Sequence, residues 1–312
     1  MRLTVALLCA LALVPSGEAV IVLDSTWAEE GGKPGDEAAG FGAHIALANE
    51  PQFDALISFS TDGDTWGECS GTWIGNDADR DVAYVLTAAH CFGASDRATM
   101  YAYRTQGGTV LTGIDTVIHP AWTGDLAWRT GYDLAIVRLK GHVTDAGPQP
   151  VLYAGNNEKN RVLTFVGFGS RGIGGTGQHP AFYGPSNQRE EKAAAVGRIE
   201  RIEPAVLPLP KRKRNVDAGN YLGVMLFPED GSMGNPYGGP NKPVSRLAGL
   251  LGSGDSGGSA WIQMTDGSWA VAGINSNGSG SAEYGDESWF VRVSLHAEWI
   301  ASVFPDAIFV ED

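Results

Sequence analysis

Glycine recurs at short intervals along the whole chain, and this feature limits the fold more than any other. The 312 residues include 43 glycines and 16 prolines, without a fixed period. Both residue types mark tight turns. Between the turns lie short alternating runs such as ALISFS, AYVLTA and LAIVRL, which are typical of strands. With 43% apolar residues, the chain is predicted to be all-β, with one large core or two medium ones.

The strand patterns form two groups, which we interpret as two β domains. The first spans 46–145 and the second 146–312, and a Gly/Pro-rich stretch, KGHVTDAGPQPVLYAGNN, runs across their boundary. Near the end, SLHAEWIASVF has the apolar spacing of a single C-terminal α-helix. Residues 20–45 are acidic and rich in glycine, so we expect a pro-segment or an N-terminal arm with little structure there.

Residues 1–19 have the pattern of a secretory signal peptide. Arg2 precedes the apolar run 3–14, and the small residues Gly17 and Ala19 follow it. The run is too short to span a bilayer comfortably, and an N-terminal anchor is the less favoured alternative. The mature protein is therefore expected to be secreted, extracellular or periplasmic, without membrane contact.

Three cysteines occur in the chain, and an exported protein meets an oxidising environment. Cys9 would leave with the signal peptide, so Cys69 and Cys91 are the one pair that can form a disulfide. Two free thiols are the alternative. Closing a loop between residues 22 apart stabilises a fold by about 3 kcal/mol in the chain-entropy model.

Charge excludes one broad class of function. The formal net charge of −14 argues against a general nucleic-acid binder, because phosphate neutralisation needs clustered cations. The exception is LPLPKRKRN, which we interpret as a solvated loop, a processing site or a patch for acidic partners; its cations are Lys211, Arg212, Lys213 and Arg214. The acidic runs near Asp62 and in NDADRD lack the spacing of a calcium loop, so no metal site is predicted.

Ser256 lies in GSGDSGGSA, where glycines allow a sharp turn that aims backbone N–H groups at a reacting oxygen. Through Gly254 and Gly258 the same residues satisfy G-x-S-x-G, the nucleophile turn of α/β-hydrolases, with Asp286 and His296 as nominal partners. The segment after Ser256 instead alternates as strand, Asp-Gly turn and strand, and only 56 residues follow. This pattern disfavours the hydrolase.

A serine hydroxyl becomes a good nucleophile only when a base removes its proton. Of six histidines, His90 has the best setting, at the end of an apolar strand in AYVLTAAHCF, next to Cys91. The base also needs a buried carboxylate that orients its ring. Asp133 opens the apolar run DLAIVRL, whereas Asp125 opens DLAW among turn residues, so Asp133 is favoured over Asp125.

In this chain order VLTAAHC, YDLAIVRL and GDSGGS resemble the three signatures of the chymotrypsin/trypsin-like serine proteases. The single disulfide is similar to the bacterial type of that family. Weaker matches in CSGTWIG, VIHPAW, FVGFGS, GINSNG and FVRVSLHAEWI extend the resemblance from about Ala55 to Phe304. It implies two six-stranded antiparallel β-barrels, with the reactive residues in the cleft between them.

By position, the resemblance makes Ser256 the nucleophile, His90 the general base and then acid, and Asp133 the orienting carboxylate. It places the oxyanion hole at the backbone N–H groups of Gly254 and Ser256. No cofactor is implied by this chemistry.

Substrate contacts follow from the same resemblance. Ser276, Asn277 and Gly278 would pair with an extended polypeptide as an added strand. Leu250 stands where trypsin-like specificity needs an aspartate, so a basic residue before the cleaved bond is disfavoured. With Gly278 and Ser288, Leu250 would form an open, mostly apolar pocket.

Activation is the point at which the chain departs from the family pattern. Zymogens of the family are cut after a basic residue, and the new amine pairs with the Asp before the nucleophile, here Asp255. The one Lys or Arg between the leader and the first barrel is Lys33, and Pro34 makes it a poor cleavage site. We therefore expect Asp255 to pair within the chain, or with an N-terminus that another enzyme makes near residues 40–45. Whether the protein is a zymogen stays open.

Together these features imply a secreted serine endopeptidase that acts as a monomer on polypeptide substrates, with a protein inhibitor as a further partner. The alternative is a catalytically silent protease-fold binding protein. In that class the reactive residues are commonly lost, but all three are present here.

Overall fold

The computed structural model describes residues 20–93, 98–124, 131–179, 182, 191–203 and 220–312. The predicted signal peptide, Asp125 and the basic cluster of residues 211–214 lie outside these ranges. In the described part of the chain, no helix has the length and hydropathy needed to cross a bilayer.

The first half forms a closed barrel of six antiparallel strands, in the order β2-β3-β4-β7-β6-β5. Alternate side chains of these strands point inward, and Phe59, Val85, Tyr103 and Val137 fill the interior. The strands are β2 (Leu56–Ser60), β3 (Ser70–Asp77), β4 (Val82–Thr87), β5 (Ala102–Arg104), β6 (Val110–Ile118) and β7 (Ala135–Lys140).

The second half forms another closed antiparallel barrel, in the order β15-β9-β12-β13-β17-β16, with β15 and β16 paired to close it. Its strands are β9 (Val162–Gly167), β12 (Ala193–Glu203), β13 (Tyr221–Met225), β15 (Ser259–Gln263), β16 (Trp269–Gly278) and β17 (Glu287–Arg292). β8 (Val151–Tyr153) lies parallel to β16, and β18 (Ile308–Val310) lies parallel to β8. The prediction of two six-stranded antiparallel barrels is confirmed.

A small sheet joins the N-terminal segment to the second barrel. Its order is β11-β10-β1-β14. The strands are β1 (Ile21–Val22), β10 (Gly172–Ile173), β11 (Gly177–Gln178) and β14 (Gly249–Leu250). β1 is therefore hydrogen-bonded on both of its edges.

The expectation of little structure in residues 20–45 is wrong. The segment contains α1 (Asp24–Glu29) and a 3₁₀-helix (Glu37–Phe41), and α2 (Gly42–Ala48) follows directly. Composition alone suggested disorder, but Val22 and Phe41 are fully buried in the core of the second barrel. This burial supplies the free energy that orders an otherwise glycine-rich segment.

The C-terminal helix is confirmed, and it packs at the junction of the two barrels. A 3₁₀-helix (Val293–His296) leads into α3 (Ala297–Val303). Just after α3, Phe304 stacks on Tyr84 of the first barrel, with ring centroids 4.3 Å apart. The apolar cluster around this pair includes residues of both barrels, among them Ile136 and Trp289. The cleft between the barrels is thus supported by one continuous core.

Candidate active site

His90 lies on a 3₁₀-helix (Ala89–Cys91) that begins two residues after β4 ends. Cys91 of this helix is bonded to Cys69, the residue before β3, with their Cα atoms 6.2 Å apart. The predicted disulfide is confirmed. It ties the loop that carries His90 to the neighbouring strand of the barrel.

Asp133 is fully buried just before β7 and accepts three hydrogen bonds through its carboxylate. The backbone N–H of His90 donates to Oδ1 over 2.9 Å. The ring Nδ1 of His90 lies 2.6 Å from Oδ2, and the hydroxyl of Ser276 donates to the same oxygen over 2.6 Å. A buried carboxylate with this many donors is held in one orientation, which in turn fixes the orientation of the imidazole ring.

Ser256 lies in the tight turn that leads from β14 to β15 in the second barrel. Gly254 and Gly257 on either side have φ values of +100° and +81°, which side-chain-bearing residues rarely adopt. A Cβ on Gly257 would also lie 2.1 Å from the carbonyl oxygen of Ser70. The turn therefore requires glycine, and it brings Ser256 Oγ to 2.7 Å from His90 Nε2.

Two backbone N–H groups flank the reactive hydroxyl. Among the described residues, the N–H groups of Gly254 and Ser256 donate to no protein acceptor. The turn is anchored elsewhere, because the N–H of Ser70 donates to the carbonyl oxygen of Ser256 over 2.8 Å. Two fixed, unoccupied donors beside a hydroxyl are suited to binding an oxygen that becomes negatively charged.

The pKa of His90 is raised above its ordinary value. Burial favours the neutral ring, but the charge of Asp133 and its hydrogen bond outweigh that effect. The side chain keeps 35% exposure toward the cleft. The ring can therefore reach a bound molecule while Asp133 stabilises its protonated form.

A cavity of about 290 Å³ opens beside these groups. Of the predicted substrate-contacting residues, Ser276, Asn277 and Gly278 line it. Leu250 and Ser288 are not among the described residues that line it: Leu250 is fully buried in β14, and the Ser288 hydroxyl accepts the N–H of Leu251. The wall is thus formed by Leu251 and the turn after it rather than by Leu250, because strand pairing with β1 turns Leu250 inward.

Gly278 and Ser276 also have contacts that their sequence positions do not indicate. The N–H of Gly278 donates to Oδ1 of Asn277 over 2.7 Å. The hydroxyl of Ser276 donates to Asp133, and the Tyr221 hydroxyl lies 3.4 Å from it. Since the single hydroxyl proton of Ser276 is directed to Asp133, Tyr221 is the donor in this second bond. The sequence carries no local signal for Tyr221, which lies in an ordinary strand.

Asp255 does pair within the chain. Its carboxylate accepts the backbone N–H groups of Gly169 and Gly252, both over 2.8 Å, and that of Val20 over 3.4 Å. The alternative partner near residues 40–45 is wrong, because that segment is helical and packs against β12, where His44 Nδ1 bonds the Ala194 carbonyl. Val20 was not singled out from the sequence, although it directly follows the predicted leader.

The sequence also offered a second fold for the turn at Ser256. The α/β-hydrolase alternative is wrong, since β15 follows Ser256 directly and His296 is bonded to the carbonyl of Gly131. Within the described residues, no group of His, Cys, Asp and Glu side chains is arranged to hold a metal ion.

The Trypsin family model matches residues 48–188. This range contains the first barrel with His90 and Asp133 and the beginning of the second barrel; it ends before Ser256, which the second barrel places within hydrogen-bonding distance of His90. This match, the two closed six-stranded barrels and the disulfide beside His90 together support a chymotrypsin/trypsin-like serine protease family for the chain.

Proposed function

We propose that this protein is a secreted serine endopeptidase that hydrolyses peptide bonds through Ser256, His90 and Asp133. One observation carries the proposal: the hydrogen-bonded chain from Ser256 Oγ to His90 Nε2, 2.7 Å, and from His90 Nδ1 to Asp133 Oδ2, 2.6 Å. In this series of hydrogen bonds, the nucleophile, its base and the group that orients the base each lie within hydrogen-bonding distance of the next.

In the acylation step, Ser256 Oγ attacks the carbonyl carbon of the substrate while His90 Nε2 takes the hydroxyl proton. The carbonyl oxygen becomes an oxyanion, which accepts hydrogen bonds from the N–H groups of Gly254 and Ser256. His90 then returns its proton to the leaving nitrogen, the C–N bond breaks, and an acyl-enzyme ester on Ser256 remains.

Deacylation repeats these steps with water. His90 removes a proton from a water molecule, whose oxygen attacks the ester carbonyl. The same two N–H groups bind the second oxyanion, and His90 protonates Ser256 Oγ as the acyl group leaves as a carboxylic acid, which ionises. Asp133 stabilises the imidazolium in both halves of the reaction.

A polypeptide fits the cleft better than a small ester does. The end of β16 at Ser276 to Gly278 lies along the cavity, where an extended peptide can add as a strand. The N–H of Gly278, which would donate to that peptide, is held by the side chain of Asn277. Substrate binding therefore requires the side-chain amide of Asn277 to rotate away from the Gly278 N–H. Asn277 thus contributes to substrate selectivity.

The lining of the cavity favours a neutral residue before the cleaved bond. Its charged members are His90 and Asp255, and the Asp255 carboxylate is occupied by backbone N–H groups. Among the described residues of the lining, no other side chain carries a charge that could form an ion pair with an arginine or lysine. We expect peptides with a neutral residue before the cleaved bond to be cut at least tenfold more efficiently, in kcat/KM, than their Arg or Lys analogues. A preference for Arg or Lys in a peptide library would contradict this assignment.

A fluorophosphonate probe tests the proposed chemistry, because it phosphonylates only an activated serine. The wild-type protein should take one label, Ser256→Ala none, and the matched control Ser302→Ala, at an exposed serine near the end of α3, as much as the wild type. A protein substrate such as casein should be degraded in the same pattern. If the folded wild type takes no label while a reference protease does, the silent binding protein becomes the correct description.

A further inference from the structure

Each of the two proposed oxyanion donors belongs to a peptide group that also contains a carbonyl. The N–H of Gly254 shares its peptide plane with the carbonyl of Ser253. The N–H of Ser256 shares its plane with the carbonyl of Asp255. The peptide bonds of the described residues are all trans, so the C=O and the N–H of one plane point in opposite directions. A group that binds the carbonyl oxygen therefore also fixes the direction of the N–H.

The carbonyl oxygen of Asp255 accepts two hydrogen bonds. The N–H of Gly258 donates to it over 3.0 Å within the turn, and Nδ2 of Asn275 donates to it over 3.0 Å from β16. The same nitrogen donates its second hydrogen to the carbonyl of Val166 in β9, also over 3.0 Å. Asn275 thus ties the peptide group that carries the Ser256 N–H to two strands of the second barrel.

The backbone of Asn275 holds the side chain in this place. Its N–H donates to the carbonyl of Gly258 over 2.8 Å, and its carbonyl accepts the N–H of Gly257 over 2.8 Å. These two bonds continue the pairing of β15 with β16 into the turn that follows Ser256. Asn275 is fully buried, so its amide is fixed beside the turn from both backbone and side chain.

An asparagine at this position leaves one polar atom unsatisfied. Oδ1 of Asn275 is buried and, among the described residues, accepts no hydrogen bond. An unpaired buried carbonyl destabilises a fold, and a leucine of similar size would leave no such group. Because both oxygens that the amide contacts are carbonyls, the amide can face them only with its nitrogen. The two carbonyls that this nitrogen holds therefore explain the asparagine better than packing does.

Ser170 has the corresponding position at the other donor. Its N–H donates to the carbonyl oxygen of Ser253 over 2.7 Å, and its hydroxyl donates to the same oxygen over 3.0 Å. Ser170 is buried and lies three residues after the end of β9 at Gly167. The peptide group that carries the Gly254 N–H is therefore held by the segment that follows β9.

The glycines of the turn make such bonds necessary. Gly254 and Gly257 have positive φ values, and the backbone next to a glycine rotates at little cost. Rotation of either peptide plane by a half turn would direct a carbonyl oxygen, instead of an N–H, at the substrate oxygen. The turn thus needs donors from outside it to keep both planes in the orientation that binds an oxyanion.

We propose that Asn275 and Ser170 are positioning residues, which hold the two oxyanion donors in their direction by binding the carbonyl oxygens of the same peptide groups. The inference rests on the proposed function and deepens it. Neither residue is among the described residues that line the cavity, so both act through the backbone of the turn. Donors that are fixed before the reaction need no rearrangement when the negative charge develops.

The test compares a peptide ester with its thionoester, in which sulfur replaces the carbonyl oxygen. Both substrates carry a neutral residue before the cleaved bond. Sulfur is a weak hydrogen-bond acceptor, so the ratio of kcat/KM for the ester to kcat/KM for the thionoester measures what the two N–H groups contribute. The fraction of folded enzyme cancels in this ratio, because one preparation hydrolyses both substrates. A loss of folded protein alone therefore leaves the ratio unchanged.

Asn275→Leu removes the side-chain donor at the Asp255 carbonyl. We expect kcat/KM for the ester to fall about 10- to 100-fold, less than the roughly 10²- to 10³-fold loss of a whole donor, because the Gly258 N–H still binds the same oxygen. The ester-to-thionoester ratio should fall at least fivefold. The matched control is Asn76→Leu in the first barrel, where Nδ2 donates to the Val143 carbonyl over 2.8 Å; it should leave the ratio within twofold of the wild type.

Ser170→Ala removes the hydroxyl bond and keeps the backbone bond, so the ratio should fall about two- to fivefold. Ser302→Ala, whose hydroxyl donates to the Trp299 carbonyl, should leave it unchanged. If Asn275→Leu yields no folded protein, Asn275→Ala takes its place. An unchanged ratio in a variant at either position overturns the assignment of that residue, while the endopeptidase assignment stands. A folded wild type that hydrolyses neither substrate and takes no fluorophosphonate would instead overturn the endopeptidase assignment, and the inference with it.

Discussion

At the scale of single residues, the imidazole of His90 is hydrogen-bonded on both sides, to Ser256 through Nε2 and to Asp133 through Nδ1. In the proposed mechanism Ser256 Oγ gives its proton to the ring, and Asp133 makes that transfer favourable by stabilising the charged ring. The raised pKa of His90 therefore has a direct consequence for activity, because only the neutral ring can act as a base.

The pH profile of kcat/KM should report this pKa. Activity is lost as the pH falls through the pKa of His90, so the acid limb should have its midpoint above the ordinary value of 6.5. In Asp133→Asn the stabilising charge is absent, and the midpoint should move to lower pH while kcat falls by about 10⁴-fold. Asp115→Asn, which removes an ion pair with Arg138 on the first barrel, is the matched control and should leave the midpoint unchanged. If the midpoint does not shift in Asp133→Asn, a group other than His90 determines the acid limb of the pH profile.

Ser276 and Tyr221 extend the same network behind Asp133. Ser276→Ala removes one hydrogen bond to a buried carboxylate, worth about 1.5–3 kcal/mol, so we expect kcat to fall roughly 10- to 100-fold. Tyr221→Phe should cause a smaller loss. Because Tyr221 acts through Ser276, the double variant should be no slower than Ser276→Ala alone. Additive losses in steady-state kinetics would show that Tyr221 acts by another route.

At the scale of elements, the short 3₁₀-helix that carries His90 has little stability of its own and depends on the bond from Cys91 to Cys69. The number of cysteines, with Cys9 assigned to the leader, indicated this pair without any knowledge of the barrel. The pairing of β1 with β10 and β14 lacked any such signal, since these two-residue strands are too short to show a periodicity.

Removing the disulfide should weaken the whole fold. In the double variant Cys69→Ala, Cys91→Ala, we expect the free energy of unfolding to fall by about 3 kcal/mol, because the unfolded chain regains the freedom of the open loop. Urea denaturation followed by tryptophan fluorescence measures this difference. The wild type assayed with a reducing agent should approach the double variant. A loss below about 1 kcal/mol would show that strain in the native bond cancels its effect.

At the scale of the whole molecule, neither barrel contains a complete site. His90 and Asp133 belong to the first barrel and Ser256 to the second, so their geometry depends on how the barrels pack. Phe304 belongs to the C-terminal segment yet is buried against Tyr84 of β4, and a Cβ on Gly75 of β3 would collide with its ring. The C-terminal segment around Phe304 thus stabilises the contact between the first barrel and the second.

Phe304→Ala should therefore affect both barrels together. Deleting a buried aromatic ring costs about 3–5 kcal/mol, and we expect a single cooperative transition at lower urea concentration by both circular dichroism and fluorescence. Leu295→Ala, at a side chain that is 45% exposed, is the control and should change stability by about 0.5 kcal/mol or less. Two separate transitions in the wild type would show that the barrels unfold independently.

The sequence by itself determined the features that depend on neighbouring residues: strand alternation, the glycine turn at Ser256, the cysteine pair, and the segments that hold His90 and Asp133. Only the tertiary structure decided what a buried group meets across the fold. The Asp255 carboxylate accepts the N–H of Val20, 235 positions away, Leu250 turns away from the cavity, and residues 20–45 form a short strand and short helices that pack on the second barrel. The physical reason is that burial and strand pairing depend on which segments, distant in sequence, pack against one another. Local composition does not contain that information.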